Sequence, residues 1–214
     1  MSIESIDTSK LSRSTMGVRI VKVISPSLFW IHLKHCDAQF TEMLEDLNIY
    51  KNRKKDRLIL FPHALRKGDV VAVETKKGWQ RAIISRLNED DTVQLMLRDW
   101  GVYVRHSKYH LHQLEKQFQE SCWHAIPCGL AYAEPTTKGQ WWSRQTQALT
   151  KLLMQHNEGR FKILEPIRNE GAWVHLQVEQ RQGENSLDLL NTLVQLGRAR
   201  KILTPATPAL PRFN

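Results

Sequence analysis

Residues 68–107 carry four short runs, GDVVAVET, WQRAIISRL, TVQLMLRD and VYVRHS, separated only by Lys-Lys-Gly, by Asn-Glu-Asp-Asp and by a Trp-Gly pair. Each run is rich in Val, Ile, Leu or aromatic residues, and each break is made of residues that favour turns. Both properties identify strands. Short strands at close, regular spacing, joined by small turns, predict a small closed β-barrel, placed here at residues 58–114.

The flanks have a different texture. GVRIVKVISPSLFWIHL gives two β-rich runs split by Ser25-Pro26-Ser27, a hairpin signal. DAQFTEMLEDLNIYKNR is helical: Phe40, Met43, Leu44, Leu47 and Ile49 or Tyr50 recur at spacings of three and four, with Asp37 as a candidate cap. After the barrel, HLHQLEKQFQES reads as a linker or short helix. CGLAYAEP is a strand stopped by Pro135, and WWSRQTQALTKLLMQH a helix with Trp142, Thr146, Leu149 and Leu153 along one side. RFKILEPIRNEGAWVHLQVEQ is a pair of strands. NSLDLLNTLVQLGRAR is a helix capped by Ser186 and stopped by Gly197. Residues 1–16 are polar and aperiodic, expected as a flexible lead-in, and the proline-rich residues 204–214 as an extended tail. Neither flank closes a core alone. The expected organisation is therefore one module built from residues 17–57 and 115–203, with the barrel of residues 58–114 inserted into it.

Hydrophobic residues make up 41% of the 214 and charged residues 25%, which is ordinary for a globular chain. No stretch is apolar for long enough to span a bilayer, and MSIESIDTSKLSRS has no apolar signal core, so an intracellular protein without membrane attachment is expected. Cys36, Cys122 and Cys128 form no disulfide framework. The formal charge of +9 admits an acidic partner such as RNA. The densest basic run, KNRKKDR at residues 51–57, lacks the interleaved aromatics of a base-stacking platform and is expected as a solvated surface.

Catalytic signatures do not emerge. There is no phosphate-binding Gly loop, no G-x-S-x-G and no H-E-x-x-H. His110, His112, Cys122, His124 and Cys128 cluster in sequence, but their spacings match no standard zinc module. No metal, no cofactor and no catalytic residue is expected.

Gly68, Ala72, Trp79-Gln80-Arg81-Ala82 and Asp99-Trp100-Gly101, in that order and spacing, resemble a Tudor domain. That family has a Gly-x-x-x-Ala strand ending in an aromatic, then W-Y-R-A, then a strand ending Y-I-D-Y-G-N. ESCWHAIPCGLAYAEP and the order of elements on both sides are similar to the extended Tudor arrangement over nearly all of residues 17–203. The resemblance implies a mainly β fold with helices, in which a Tudor SH3-like barrel is inserted in a split OB module of staphylococcal-nuclease type. It further implies a non-enzymatic interaction module of germline piRNA silencing, with PIWI-family proteins as partners and a cytoplasmic, perinuclear granule as location. The first hairpin holds no acidic residue, against nuclease chemistry.

Extended Tudor domains hold methylated arginine in a cage of four aromatics with an Asn. By the resemblance, the cage positions fall at Glu74, Gln80, Leu97 and Trp100, and the Asn at Val102. Only Trp100 keeps its type. One aromatic wall is worth about 0.5–1 kcal/mol at an exposed site, so no useful affinity for symmetric dimethylarginine is expected. Glu74 and Gln80 offer acceptors beside Trp100, and a carboxylate pairs with an unmodified guanidinium through hydrogen bonds that methylation removes. Binding of an unmethylated Arg-Gly peptide is one expectation. The plainer one is that Glu74 and Gln80 are solvated strand residues and Trp100 caps the barrel end. RNA binding through the basic surface and OB-like module stands as the alternative function, and self-association through a strand edge as a weaker third.

Overall fold

The computed structural model describes residues 3–54, 59–137, 141–155, 157–167, 171–179 and 186–203. In chain order these form β1 (Met16–Ser25), β2 (Leu28–Leu33), α1 (Asp37–Lys54), β3 (Val70–Thr75), β4 (Gly78–Leu87), β5 (Thr92–Leu97), β6 (Val102–Ser107) and β7 (Leu111–Gln113). They continue as β8 (Ile126–Leu130), β9 (Ala133–Glu134), α2 (Arg144–Met154), β10 (Glu158–Ile167), β11 (Gly171–Glu179), β12 (Ser186–Asp188), α3 (Leu189–Gln195) and β13 (Arg200–Lys201). The chain divides into two compact units. One contains residues 3–5 and 36–124, the other residues 6–35 and the described residues from 125 onward. This grouping differs from the expected boundaries, because α1 belongs with the barrel and not with the hairpin that precedes it.

In the first unit, β6-β5-β4-β3-β7 form one antiparallel sheet. Alternation along its strands gives two apolar faces. Val71, Val73, Ala82, Ile84, Val93, Leu95 and Leu97 fill the barrel interior. Ala72 and Trp79 face outward onto Leu47 of α1 and onto Phe118 and Trp123. Met43, Leu44 and Tyr50 add to that second core, whereas Ile49 is exposed, so Tyr50 continues the helical stripe. Two asparagines of α1 hold the β3–β4 turn. Asn48 Oδ1 accepts from the Trp79 backbone N–H at 2.8 Å, and Asn52 Oδ1 from the indole N–H at 3.0 Å. Gly78 suits this clamp twice over: its φ is +91°, and a Cβ there would collide with the Asn48 amide.

Three expectations need correction in this unit. HLHQLEKQFQES contains β7, a fifth barrel strand paired with β3, followed by a 3-10 turn at Lys116–Phe118. The basic run is not wholly solvated: Lys51 is fully buried and donates to the Gln113 carbonyl and to the Glu115 carboxylate at 3.0 Å. Burial pushes its amine below the ordinary lysine range, opposed by Glu115. Residues 55–57 of that run lie outside the described residues. The lead-in is not loose either, since Ile3 is buried in the second core and Ser5 bridges to Trp123.

In the second unit the pairings run β10-β1-β2-β8-β11-β12, and β10 also pairs with β11. Five strands thus close into a ring, with β8 and β11 parallel and the other pairs antiparallel. That is the OB type of barrel. β2 is buried at every residue, which fits its sequence LFWIHL, apolar except for His32. Thr8, from the supposed lead-in, is buried with its hydroxyl donating to the Gly171 carbonyl at 2.6 Å. α2 packs on β1 through Thr146, Thr150 and Met154, with Ser143 as its N-cap. Leu149 and Leu153 are only partly buried, so the apolar stripe is rotated from the expected one. The α3 cap is Asp188, which accepts from the Asn191 N–H at 2.9 Å; Ser186 lies in β12 instead. Gly197, at φ +64°, follows α3 as expected. The extended tail of residues 204–214 lies outside the described residues.

Candidate functional site

The β5–β6 turn carries Trp100. Its backbone N–H donates to the Leu97 carbonyl at 3.0 Å, and Gly101 at φ +64° supplies the left-handed residue the turn requires. Leu97 and Val102 are ladder partners on either side of the turn, and both pack into the barrel interior. Trp100 lies half-buried on the same core.

Contacts from Gln80, Phe40 and Lys77 hold the indole. Its Nε1–H donates to Gln80 Oε1 at 2.7 Å. The Phe40 ring of α1 lies 5.6 Å away, tilted by 59°. Lys77 Nζ sits over the indole, 5.5 Å from its centroid. Gln80 is 4% exposed, so its carbonyl oxygen is spent on Trp100 and does not stand open as a ligand acceptor. Glu74 is set apart from this group by register. It is the ladder partner of Trp79, whereas Gln80 partners Val73, and alternation sends the two side chains to opposite faces. The structure therefore gathers Trp100, Gln80, Leu97 and Val102 at one end of the barrel, and leaves Glu74 exposed on the other face.

Behind the turn lies a buried ion pair. Arg81 donates from Nε to Asp99 Oδ2 at 2.9 Å and from Nη2 to Asp99 Oδ1 at 2.7 Å, with both residues 1% exposed. The remaining guanidinium donors reach the carbonyls of Phe118, Ser121 and Cys122 at 2.9–3.0 Å. Asp99 Oδ1 also accepts the His124 backbone N–H at 2.8 Å. The two motif residues thus tie β4, the Trp100 turn and residues 118–124 together. The His124 ring stacks on Phe40 at 4.0 Å and lies 3.4 Å from Asp37. Burial holds its imidazole below the ordinary histidine range, with the Asp37 hydrogen bond acting in the opposite sense. Trp79 is core, as its position in W-Q-R-A implies, and His112 lies edge-on to it at 4.6 Å.

Phe40 and Lys77 escaped the sequence reading. Phe40 was visible as part of a helical stripe, but its contact with Trp100 is long-range. Lys77 lies in the β3–β4 turn, whose reach over Trp100 depends on how the barrel strands coil.

A family model described as "Tudor domain" matches residues 11–132. Human Tudor domain-containing protein 5 is 31% identical over 155 residues, covering 69% of this chain and 15% of that protein. Human Tudor domain-containing protein 6 is 28% identical over 181 residues, covering 83% of this chain and 8% of that protein. The chain thus spans a small part of the curated relatives it matches. Among solved structures, the extended Tudor domain TD3 of mouse TDRD1, bound to a MILI peptide containing dimethylarginine, superposes with a TM-score of 0.80 at 16% identity, covering 94% of this chain and all of that one. A Drosophila melanogaster Papi extended Tudor domain mutant, bound to an unmethylated Piwi N-terminal peptide, superposes with a TM-score of 0.73 at 18% identity, covering 88% of this chain and all of that one. With the inserted barrel, the OB-type ring and the D-W-G turn in place, the chain belongs to the Tudor domain family and has the extended Tudor fold.

Proposed function

We propose that this chain is a non-enzymatic interaction domain of small-RNA silencing complexes that binds a partner peptide independently of arginine methylation. The observation that carries this reading is the state of Trp100. Of the other cage positions, Gln80 is bonded to the indole N–H, and Leu97 and Val102 belong to the barrel core. A methylated guanidinium gains over an unmethylated one by being bulkier and less hydrated inside an aromatic enclosure. Phe40 lies tilted against Trp100 at 5.6 Å, and Lys77 already supplies a cation to its ring face.

The relatives support a partner class. The TDRD1 domain binds a MILI peptide containing dimethylarginine, and the Papi domain mutant a Piwi peptide without methylation. A PIWI-family protein offering an unmethylated Arg-Gly segment is the partner this chain is expected to take. Glu74 lies away from the indole, so the arginine is expected to rest on Trp100 by displacing Lys77, without a carboxylate clamp. A cytoplasmic, perinuclear germline granule is the corresponding location. Calorimetric titration of matched Arg-Gly peptides, unmethylated and symmetrically dimethylated, tests the reading: comparable affinities support it, and a clear preference for the methylated peptide refutes it.

A further inference from the structure

The OB-type unit contains a concavity of about 490 Å³ where the end of β8, the β10–β11 strands and α3 meet. Ligand pockets run from roughly 300 to 1,000 Å³, so its size suits a bound side chain with its neighbours. Its apolar lining comes from Leu130, Leu164, Val174 and Leu190. Its charged lining holds two lysines, the exposed Lys162 and Lys201, and among the described residues neither has a carboxylate within ion-pair distance. The one acid in the lining, Asp188, is engaged on both oxygens. Oδ1 caps α3 and Oδ2 lies 2.7 Å from His175 Nε2. The wall is also held in an unusual conformation. Tyr132 has φ +60°, uncommon for a residue with a Cβ, and its turn is pinned by hydrogen bonds from Ala131 N to the Val174 carbonyl and from Ile202 N to its own carbonyl.

We infer that this concavity is a second binding site, distinct from the Trp100 end of the barrel, and that it takes an acidic peptide segment carrying an aliphatic side chain. The aliphatic group enters between Leu164, Val174 and Leu190, and flanking carboxylates meet Lys162 and Lys201. Two lysines against one carboxylate leave a net positive lining that favours an anion. The aliphatic walls favour a peptide over RNA, since bases bind by stacking and, of the two rings in the lining, Tyr132 and His175, the imidazole is held to Asp188.

The test is a nitrogen-15 NMR titration of the whole chain with acetyl-Gly-Asp-Leu-Asp-Gly-amide. Its Asn-for-Asp counterpart and a short oligouridine serve as comparisons. Saturable shifts at Leu130–Tyr132, Lys162–Leu164, Val174–His175 and Asp188–Asn191 are expected, with the neutral peptide weaker by about tenfold. The surface variants Lys162→Glu and Lys201→Glu keep the fold, and each weakens the acidic peptide by about fivefold or more; Leu164→Ser does so without changing the salt dependence. Absence of saturable shifts at these residues, equal binding of the acidic and neutral peptides, or stronger shifts there with oligouridine overturns the inference.

Discussion

Asp99→Ala removes the carboxylate that pairs with the Arg81 guanidinium. The side chain of Arg81 is fully buried and its two best hydrogen bonds, at 2.9 and 2.7 Å, both end on that carboxylate. Three carbonyls remain on the other donors, but no carbonyl carries a formal charge. Breaking a buried pair by deleting one partner costs about 3–5 kcal/mol, because the remaining charge stays desolvated. The His124 backbone N–H loses its acceptor in the same step. In a chain of 214 residues each kcal/mol lowers Tm by about 2–4 °C, giving a drop of about 6–20 °C. Urea unfolding followed by tryptophan fluorescence measures the same loss, with Trp123 5.0 Å from the guanidinium as a local reporter. Asp99→Asn is expected to lose less, since it keeps one acceptor. Arg81→Met in the Asp99→Ala background is expected to cost far less than Arg81→Met alone, with a coupling of about 2 kcal/mol or more. A loss below about 1 kcal/mol for Asp99→Ala, or simple additivity of the two substitutions, refutes the assignment of this pair as the tie behind the Trp100 turn.

Three further outcomes are expected. Lys77→Ala uncovers the indole and raises affinity for an unmethylated Arg-Gly peptide by about two- to fivefold, the equivalent of an exposed cation–π contact of about 0.5–1 kcal/mol; calorimetry checks it. His124 is depressed in the folded state, so below about pH 6.5 the unfolded chain takes up a proton that the native chain resists, and stability falls as pH falls. The urea midpoint is therefore lower at about pH 5 than at about pH 7.5, and His124→Gln flattens that difference. Lys51→Ala leaves the Gln113 carbonyl and Glu115 without their buried donor and costs about 1–3 kcal/mol in the same unfolding assay.

The barrel strands β3 to β6 were legible because their alternation and turn residues are local signals. The motif W-Q-R-A with D-W-G carried the family for the same reason. β7 was not legible: Leu-His-Gln has no period of its own and becomes a strand only by pairing with β3. Lys51 misled because its sequence neighbours are basic, while its side chain lies on the helix face that Leu47 also uses, four residues earlier. Arg81 carried a readable hint, being a charged residue inside the apolar run of β4, which requires a buried partner. Its pairing with Asp99 still depended on the β4–β5 register. At the candidate site, the substitutions themselves were visible, but their consequence was not. That Gln80 turns inward onto the indole, and that Phe40 and Lys77 arrive from α1 and the β3–β4 turn, are facts of tertiary packing.

The central claim is that the Trp100 pocket does not discriminate methylated from unmethylated arginine. Isothermal titration of one Arg-Gly peptide in its unmethylated and symmetrically dimethylated forms tests it most directly. Dissociation constants within about threefold of each other, less than about 0.7 kcal/mol apart, are predicted. Binding of the dimethylated form tighter by about tenfold or more, about 1.4 kcal/mol, contradicts the account.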